Sequence, residues 1–395
     1  MEEVEVLPSA SSYMFHSPVK VLSGTRALEN LPVELAGMDA VKPLILAAAA
    51  PAAREMERVM AAAFGDSRLT IGFFAGIPPR PDRKLVRDLF RLYKDKGYDS
   101  LIALGGGPVL DVAKTLKVAV SGRPEDLEII AAGGPVSVRK PRPLAVVPGM
   151  GAMGYELTRY AVLDSFRLAA PAMIPELLVI DSRTITPPDR KTTAAAALLT
   201  LTQAVEALFH PGRNHLTDAY AYGATRFVVE NLHRALQSGA DHRCRIALVN
   251  AAFFAQTAFD NLSGGMTFNL GMAMSRYCET PPGMLMGLLL PHYLLMEMNR
   301  EETPGRDLLL AVGGPEDYAE LGAETGLRKA VDRIVELLLE IQSLIPDFPR
   351  SIRDVGLKRE DLEELPGAAE EVPGRGSFDP SALRYVLAKA WETRF

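Results

Sequence analysis

Runs of strand length alternate with amphipathic stretches along the first half of the chain, and the strand-like runs all but stop near Thr184. Residues 43–48 (PLILAA), 69–74 (LTIGFF), 100–104 (SLIAL), 144–147 (LAVV) and 177–180 (LLVI) are apolar at nearly every position. Such runs suit strands buried on both faces, as in a parallel sheet; a half-solvated antiparallel strand would alternate apolar with polar residues. Between them, residues 82–97 set Leu85, Val86, Leu89, Phe90 and Tyr93 at spacings that gather them on one face of a helix. The first half therefore predicts an α/β domain, a mostly parallel sheet covered by helices on both faces.

Beyond Thr184 the sequence turns rich in Ala, Leu and Met, and helices are predicted over 191–209, 217–237, 242–261, 283–300, 315–325, 329–341, 359–369 and 380–393. Pro187-Pro188-Asp189 marks the change, because proline ends one element and an aspartate after it can cap the next. The organisation read from this is an α/β domain over 1–184 and an all-helical domain over 185–395.

Composition narrows the chemistry. With 43 basic against 49 acidic residues and a net charge of −6, the chain is a poor match for nucleic acid. Its two cysteines, Cys244 and Cys278, fit neither a disulfide framework nor a zinc knuckle and read as free thiols. The acidic start, MEEVEVLPSASS, has no apolar signal core, and the apolar runs at 194–201 and 283–290 fall short of the roughly 20 residues a bilayer span needs. No membrane partner and a cytoplasmic location are expected.

The most chemical segment is 100–118, SLIALGGGPVLDVAKTLKV, a strand, three glycines and a helix. Free backbone N–H groups and the positive end of the helix dipole at such a turn attract phosphate, and glycines let it approach the backbone. The spacing is neither GxGxxG nor a P-loop. Taken locally, a phosphate cradle and a plain tight turn both remain open.

Gly105, Gly106 and Gly107 with Asp111 and Lys114 resemble the GGGSxxDxAK segment of the iron-containing alcohol dehydrogenase family. Further segments agree in order: 20–28 (KVLSGTRAL) resembles the family's first hairpin, 147–158 (VPGMGAMGYELT) its PTTAGTGSEVT loop, 175–181 (PELLVID) the strand closing its first domain, 194–209 its MDALTHAIEAY helix, and 255–292 its gap-free block ending in LLPH. The resemblance covers nearly the whole chain. It implies a Rossmann-like parallel-sheet domain followed by a helical domain, and a homodimer in which an N-terminal hairpin near 13–23 pairs across subunits.

The family holds iron or zinc with one Asp and three His while hydride passes to or from a nicotinamide. Carried over, those four positions are Leu199, Gln203, Phe268 and Pro282. Leu, Phe and Pro have no donor atom in the side chain, and a neutral Gln amide is a rare ligand for such metals. No iron or zinc is expected. The cofactor side also departs: Gly149, Met150, Met153 and Tyr155 stand where the family has hydroxyl residues, Pro108 where it has serine, and the ribose-binding carboxylate falls at about Ala48. Gly105, Gly106, Gly107, Asp111, Lys114, Gly154 and Thr158 are retained as cofactor-binding candidates, alongside Glu156, so NAD or NADP binding is expected to be weakened. Tyr155 and His292 are the candidate catalytic acids, followed by Glu279 and Arg276.

Two functions follow from this reading. One is a metal-independent NAD(P)-linked oxidoreductase of an alcohol/carbonyl pair. The other is an inactive or repurposed relative whose interdomain cleft, lined by Met150, Met153, Tyr155, Leu199, Gln203, Phe268, Met272 and Pro282, has either closed as core or takes a small apolar or carbonyl ligand.

Overall fold

The computed structural model describes residues 12–49, 53–132, 134, 136, 138, 140–149, 154–164, 166–185, 189–238, 241–298, 304–320, 326–372 and 378–394. The chain divides into two compact units, 17–187 and 188–395, the latter joined by the segment ending at His16. The expected α/β domain began at residue 1. Residues 15 and 16 instead belong with the helical unit, because Phe15 stacks on Tyr220 and the His16 N–H donates to Asn261 Oδ1 at 2.7 Å.

In the α/β unit, β1 (Lys20–Gly24), α1 (Leu31–Gly37), β2 (Pro43–Ala48), α2 (Ala53–Phe64), β3 (Gly72–Ile77), α3 (Arg83–Lys96), β4 (Ser100–Leu104), α4 (Pro108–Ser121), α5 (Asp126–Ala131), β5 (Leu144–Val147), β6 (Tyr160–Leu163), β7 (Phe166–Ala169) and β8 (Leu177–Asp181) follow one another. Six strands form one sheet in the order β1-β8-β5-β4-β2-β3, parallel at every pairing. The strands read from apolar runs at 43–48, 100–104 and 144–147 appear with those bounds. Residues of β4, β5 and β8 are buried throughout, as two covered faces require.

Two expectations shift. The strand expected at 69–74 is β3 at Gly72–Ile77: Gly72 lies inside it because a Cβ there would stand 2.1 Å from the Tyr98 hydroxyl, so glycine makes room for a side chain and does not end the strand. The hairpin expected over 20–28 is a single strand, β1, followed by a 3₁₀ turn at Ala27–Asn30; its partner is β8, in parallel.

Helix α4 carries the unit's centre. Every residue from Val109 to Val120 is buried except Asp111, which is half-buried, and the buried set includes two lysines. Lys117 Nζ donates to the Ile174 carbonyl and to Glu176 Oε1 at 2.7 Å, while Glu176 Oε2 accepts from Leu144 N–H at 2.8 Å. Burial pushes the Lys117 amine down, and the Glu176 charge opposes that shift.

The helical unit contains α6 (Arg190–Phe209), α7 (His215–Gln237), α8 (His242–Asp260), α9 (Met266–Met274), α10 (Pro282–Glu297), α11 (Gly305–Ala319), α12 (Gly326–Leu344), α13 (Asp361–Glu370) and α14 (Pro380–Glu392). Asp189 caps α6 by accepting the Thr192 N–H at 2.8 Å, as its place after the prolines predicted. By length and composition α6 is apolar enough to cross a membrane, which the sequence reading had excluded for any segment. It is instead a core helix, buried along most of its length against α7, α8 and α10. The helix expected at 315–325 is the second part of α11, whose turns break at Gly314 (φ 81°) just before Pro315; residues 321–325 lie outside the described set. Helix α9 was not predicted.

Candidate functional site

Strand β4 runs into the three glycines and then α4. The Gly105 N–H donates to the Val147 carbonyl at 2.9 Å, carrying the β4/β5 ladder one residue beyond Leu104. Gly105 (φ 127°) and Gly107 (φ 45°) both take backbone conformations that disfavour a side chain. Among the described residues, a Cβ added at Gly106 or Gly107 would meet nothing within 4 Å, so both positions beside the α4 N-terminus are open to that extent. Gly107 is the N-cap and makes no side-chain cap; Pro108 follows at the first helical position, where a missing N–H costs the helix nothing.

Behind this turn the structure gathers four residues the sequence singled out separately. Asp111 Oδ1 accepts the Tyr155 hydroxyl at 2.7 Å and the Val162 N–H at 2.7 Å. Lys114 is fully buried; its Nζ donates to the Tyr155 carbonyl at 2.6 Å, Thr158 Oγ1 at 3.1 Å and the Tyr160 carbonyl at 3.1 Å, and stands 4.3 Å from the Tyr155 ring centroid. Gly154 (φ 82°) turns the chain into the short 3₁₀ segment Tyr155–Leu157 that presents these acceptors. Burial pushes the Asp111 carboxyl up, against the Val162 N–H, the Tyr155 hydroxyl and the Lys114 charge.

Asp111, Lys114 and Thr158 were expected on a cofactor; here they clamp segment 154–162 to α4. Tyr155, a candidate acid, has its proton directed at Asp111. The resemblance listed these residues but gave no sign that they bind one another. Met150 and Met153 lie outside the described residues. Ala48 ends β2 and brings no carboxylate to the sheet edge.

In the helical unit, Leu199 on α6 and Phe268 on α9 pack into one apolar cluster with Phe259, Met286 and Val372, with Met272 against it. The Phe259 and Phe268 rings lie 5.0 Å apart between centroids. Pro282 opens α10, and the next residue, Gly283, is pressed so close that a Cβ would stand 1.9 Å from the Ala195 carbonyl oxygen. Gln203, one turn from Leu199, is buried and donates Nε2–H to Gln256 Oε1 at 3.0 Å; Gln256 Nε2 in turn donates to Asp260 Oδ1 at 2.6 Å. Among the described residues no group of three or more His, Cys, Asp or Glu is placed to hold a metal ion. The four positions offer one neutral amide oxygen, a donor set that does not fit iron or zinc.

Sequence reasoning overlooked Glu206. Its carboxylate, on α6, accepts the backbone N–H groups of Thr267 and of Phe268 (3.1 Å), and so caps α9 from another helix. Gly265 makes the approach possible, since a Cβ there would sit 2.0 Å from Glu206 Oε2. Burial pushes the Glu206 carboxyl up to about 7, partly offset by those N–H groups, with the Glu297 charge adding to the rise. His292, the other candidate acid, is buried in α10, and burial followed by the Lys389 charge pushes it down to about 4, so it is neutral at pH 7. Glu279 is exposed, and Arg276 pairs with Glu371 at 3.0 Å.

Two family patterns match the chain: "Iron-containing alcohol dehydrogenase" over residues 18–182 and "Fe-containing alcohol dehydrogenase family, C-terminal" over residues 193–378. A similar curated protein is the 1,3-propanediol dehydrogenase of Klebsiella pneumoniae, 24% identical over 304 residues, spanning 75% of this chain and 76% of that one. Among solved structures, the alcohol dehydrogenase from Oenococcus oeni superposes with a TM-score of 0.81 at 21% identity, covering 96% of this chain and 100% of that one. The sulfoacetaldehyde reductase from Bifidobacterium kashiwanohense in complex with NAD+ gives 0.80 at 17% identity, covering 97% and 99%.

Proposed function

Because the chain belongs to the iron-containing alcohol dehydrogenase family, we propose that it is an NAD(P)-linked oxidoreductase of an alcohol/carbonyl pair that works without a resident metal. The observation that carries the metal-free part is the packing of Leu199 and Phe268 into one apolar cluster at positions where the family places ligands. Support for a nucleotide comes from the glycine turn: open space at Gly106 and Gly107 beside the α4 N-terminus fits a pyrophosphate.

When bound, a nicotinamide supplies the hydride chemistry. This chain's own part is to take the phosphates on the backbone of 105–107 and to hold the turn by the Asp111–Tyr155 and Lys114–Thr158 bonds. With the Tyr155 hydroxyl committed to Asp111 and His292 neutral, the proton on the substrate oxygen is exchanged with water. The cofactor is held more weakly than the micromolar range, since each lost hydrogen bond to a charged ligand is worth roughly 1.5–3 kcal/mol. We propose a homodimer, for which β1 at the sheet edge, with Val21 exposed, provides a pairing strand.

Calorimetric titration with NADH and NADPH, followed by alcohol oxidation assays before and after EDTA treatment, tests the reading. Saturable binding of one cofactor and turnover unchanged by the chelator are expected. Stoichiometric iron or zinc with chelator-sensitive turnover would overturn the metal-free part. No binding of either cofactor at several millimolar would overturn the whole, in favour of a repurposed chain that takes a neutral ligand near Leu199 and Phe268.

A further inference from the structure

One cavity of the helical unit has none of the four family positions in its lining. It measures about 410 Å³, within the range of small-molecule sites, and all its lining residues fall within 188–395. Four pieces of chain build it: the first turn of α6 with Lys191, the approach to α10 with Thr280, the stretch 346–354 after α12, and Arg394 beyond α14. These pieces are tied to one another. Arg190 donates to the Leu344 carbonyl at 3.2 Å, Phe348 belongs to the core, Ser351 Oγ donates to the Ala390 carbonyl at 3.5 Å, and the Arg353 guanidinium stands 5.4 Å from the Trp391 ring centroid. Pro346 and Pro349 restrict the backbone further, so the walls are set before any ligand arrives.

The lining carries charges of both signs, Lys191, Arg350 and Arg394 against Asp347 and Asp354. Lys191 Nζ meets Asp347 Oδ2 at 3.2 Å, and Arg394 Nη2 meets Asp354 Oδ1 at 3.6 Å. Both are single contacts between solvent-accessible side chains, which contribute little and exchange readily for a ligand. Asp354 is held by a second bond, its Oδ2 accepting the Arg350 backbone N–H at 3.0 Å. The Arg350 guanidinium is exposed, and among the described residues no hydrogen bond or ion pair engages it. One positive charge is therefore unbalanced, on a side chain whose planar fork of donors matches a carboxylate.

We propose that this cavity binds a small acidic α-amino acid, two carboxylates and one ammonium on a short carbon chain. Its single net negative charge balances the lining. One carboxylate lies on the Arg350 fork, Lys191 and Arg394 are the cations for the other, and Asp347 and Asp354 accept from the ammonium. Other classes fit worse. A phosphate dianion brings more negative charge than the lining can balance, and a plain dicarboxylate offers nothing to the two aspartates. A cation meets three like charges, and an apolar ligand finds little carbon, because Phe348 and Pro349 are buried. The inference is independent of the proposed hydride chemistry, since the cavity includes no residue of the glycine turn and none of the four family positions.

Calorimetric titration of the full chain at constant ionic strength compares L-glutamate with glutarate, which lacks the ammonium, and with inorganic phosphate. The wild type is expected to bind L-glutamate in the millimolar range or tighter, about tenfold more tightly than glutarate, and phosphate more weakly than either. Arg350→Gln should weaken both organic ligands about tenfold and keep their ratio. Asp347→Asn, which removes an acceptor for the ammonium and a like charge for the carboxylates, should weaken L-glutamate, tighten glutarate and so close the gap. No saturation by tens of millimolar L-glutamate, equal affinities for L-glutamate and glutarate in the wild type, or unchanged L-glutamate binding by Arg350→Gln would overturn the proposal. Tighter binding of phosphate would overturn it in favour of a simple oxyanion site. Should Arg350→Gln not fold, Asp347→Asn decides: an unchanged ratio of the two organic ligands overturns the proposal and a narrowed one supports it.

Discussion

The glycine turn of the α/β unit and the family's ligand positions in the helical unit have met opposite fates. At the turn the charged residues are present, and they bind the protein to itself: Lys114 lies fully buried against Tyr155, Thr158 and Tyr160. In the helical unit the charged residues are gone, and Leu199 and Phe268 fill the space with carbon. Motif letters alone would score the first region intact and the second dead. The geometry instead separates what holds a site in shape from what a ligand touches, and the two regions differ mainly in which of these was replaced.

The largest test of this contrast is Lys114→Met. If Lys114 is an internal clamp, replacing it removes the buried cation that donates to the Tyr155 and Tyr160 carbonyls and to Thr158 Oγ1, and urea unfolding should show a loss of about 3–5 kcal/mol. A variant as stable as the wild type but weakened toward NAD(P) would break the comparison, since Lys114 would then serve the ligand.

The helical unit has its own buried titratable pair, read by pH. Glu206 has its folded pKa raised from 4.5 to about 7, so its contribution is full below pH 4.5 and is lost as pH rises through 7. His292 has its folded pKa lowered from 6.5 to about 4, so its contribution is present above pH 6.5 and is lost as pH falls through 4. Between those limits the two slopes oppose one another, each on the order of 3 kcal/mol. Glu206→Gln is expected to leave stability that falls on acidification from pH 6.5, and His292→Asn stability that rises on acidification from pH 7, both followed by denaturant midpoints. Parallel pH profiles for the two variants would show that neither group governs the dependence.

The smallest effect sharpens the contrast furthest. A methyl group at Gly106 meets no atom of the described residues within 4 Å, so Gly106→Ala should leave the denaturation midpoint nearly unchanged while raising the dissociation constant for NADH about tenfold, or about 1.4 kcal/mol. Unaltered affinity would remove the turn from the binding surface.

How much of this was legible in the sequence depends on where each instruction is written. Strands β2, β4 and β5 were read with their observed bounds because a doubly covered strand must be apolar along its whole length. Helix α6 was nearly so, its aspartate cap being adjacent in sequence. Helix α9 was missed because its cap is Glu206, from another helix, and its own first residues carry no capping side chain. The Asp111–Tyr155 bond spans 44 residues and the Gln203–Gln256 bond 53, and no local pattern announces either. The resemblance supplied the identities at the site, but only the fold showed that Asp111, Lys114, Tyr155 and Thr158 are one network.

Helix α4 places two desolvated ammonium groups three residues apart, Lys114 reaching the segment around Tyr155–Tyr160 and Lys117 reaching Ile174 and Glu176. In terms of inheritance this makes distant stretches of chain a single heritable block. A graft or recombination that imports the glycine turn and its helix from a relative, but brings in no hydroxyl at 158 or carboxylate at 176, leaves the buried cations with backbone carbonyls alone. The boundaries at which this domain can be cut and exchanged therefore lie outside β4 and β8, and the turn travels with the stretch of chain that those two lysines tie together.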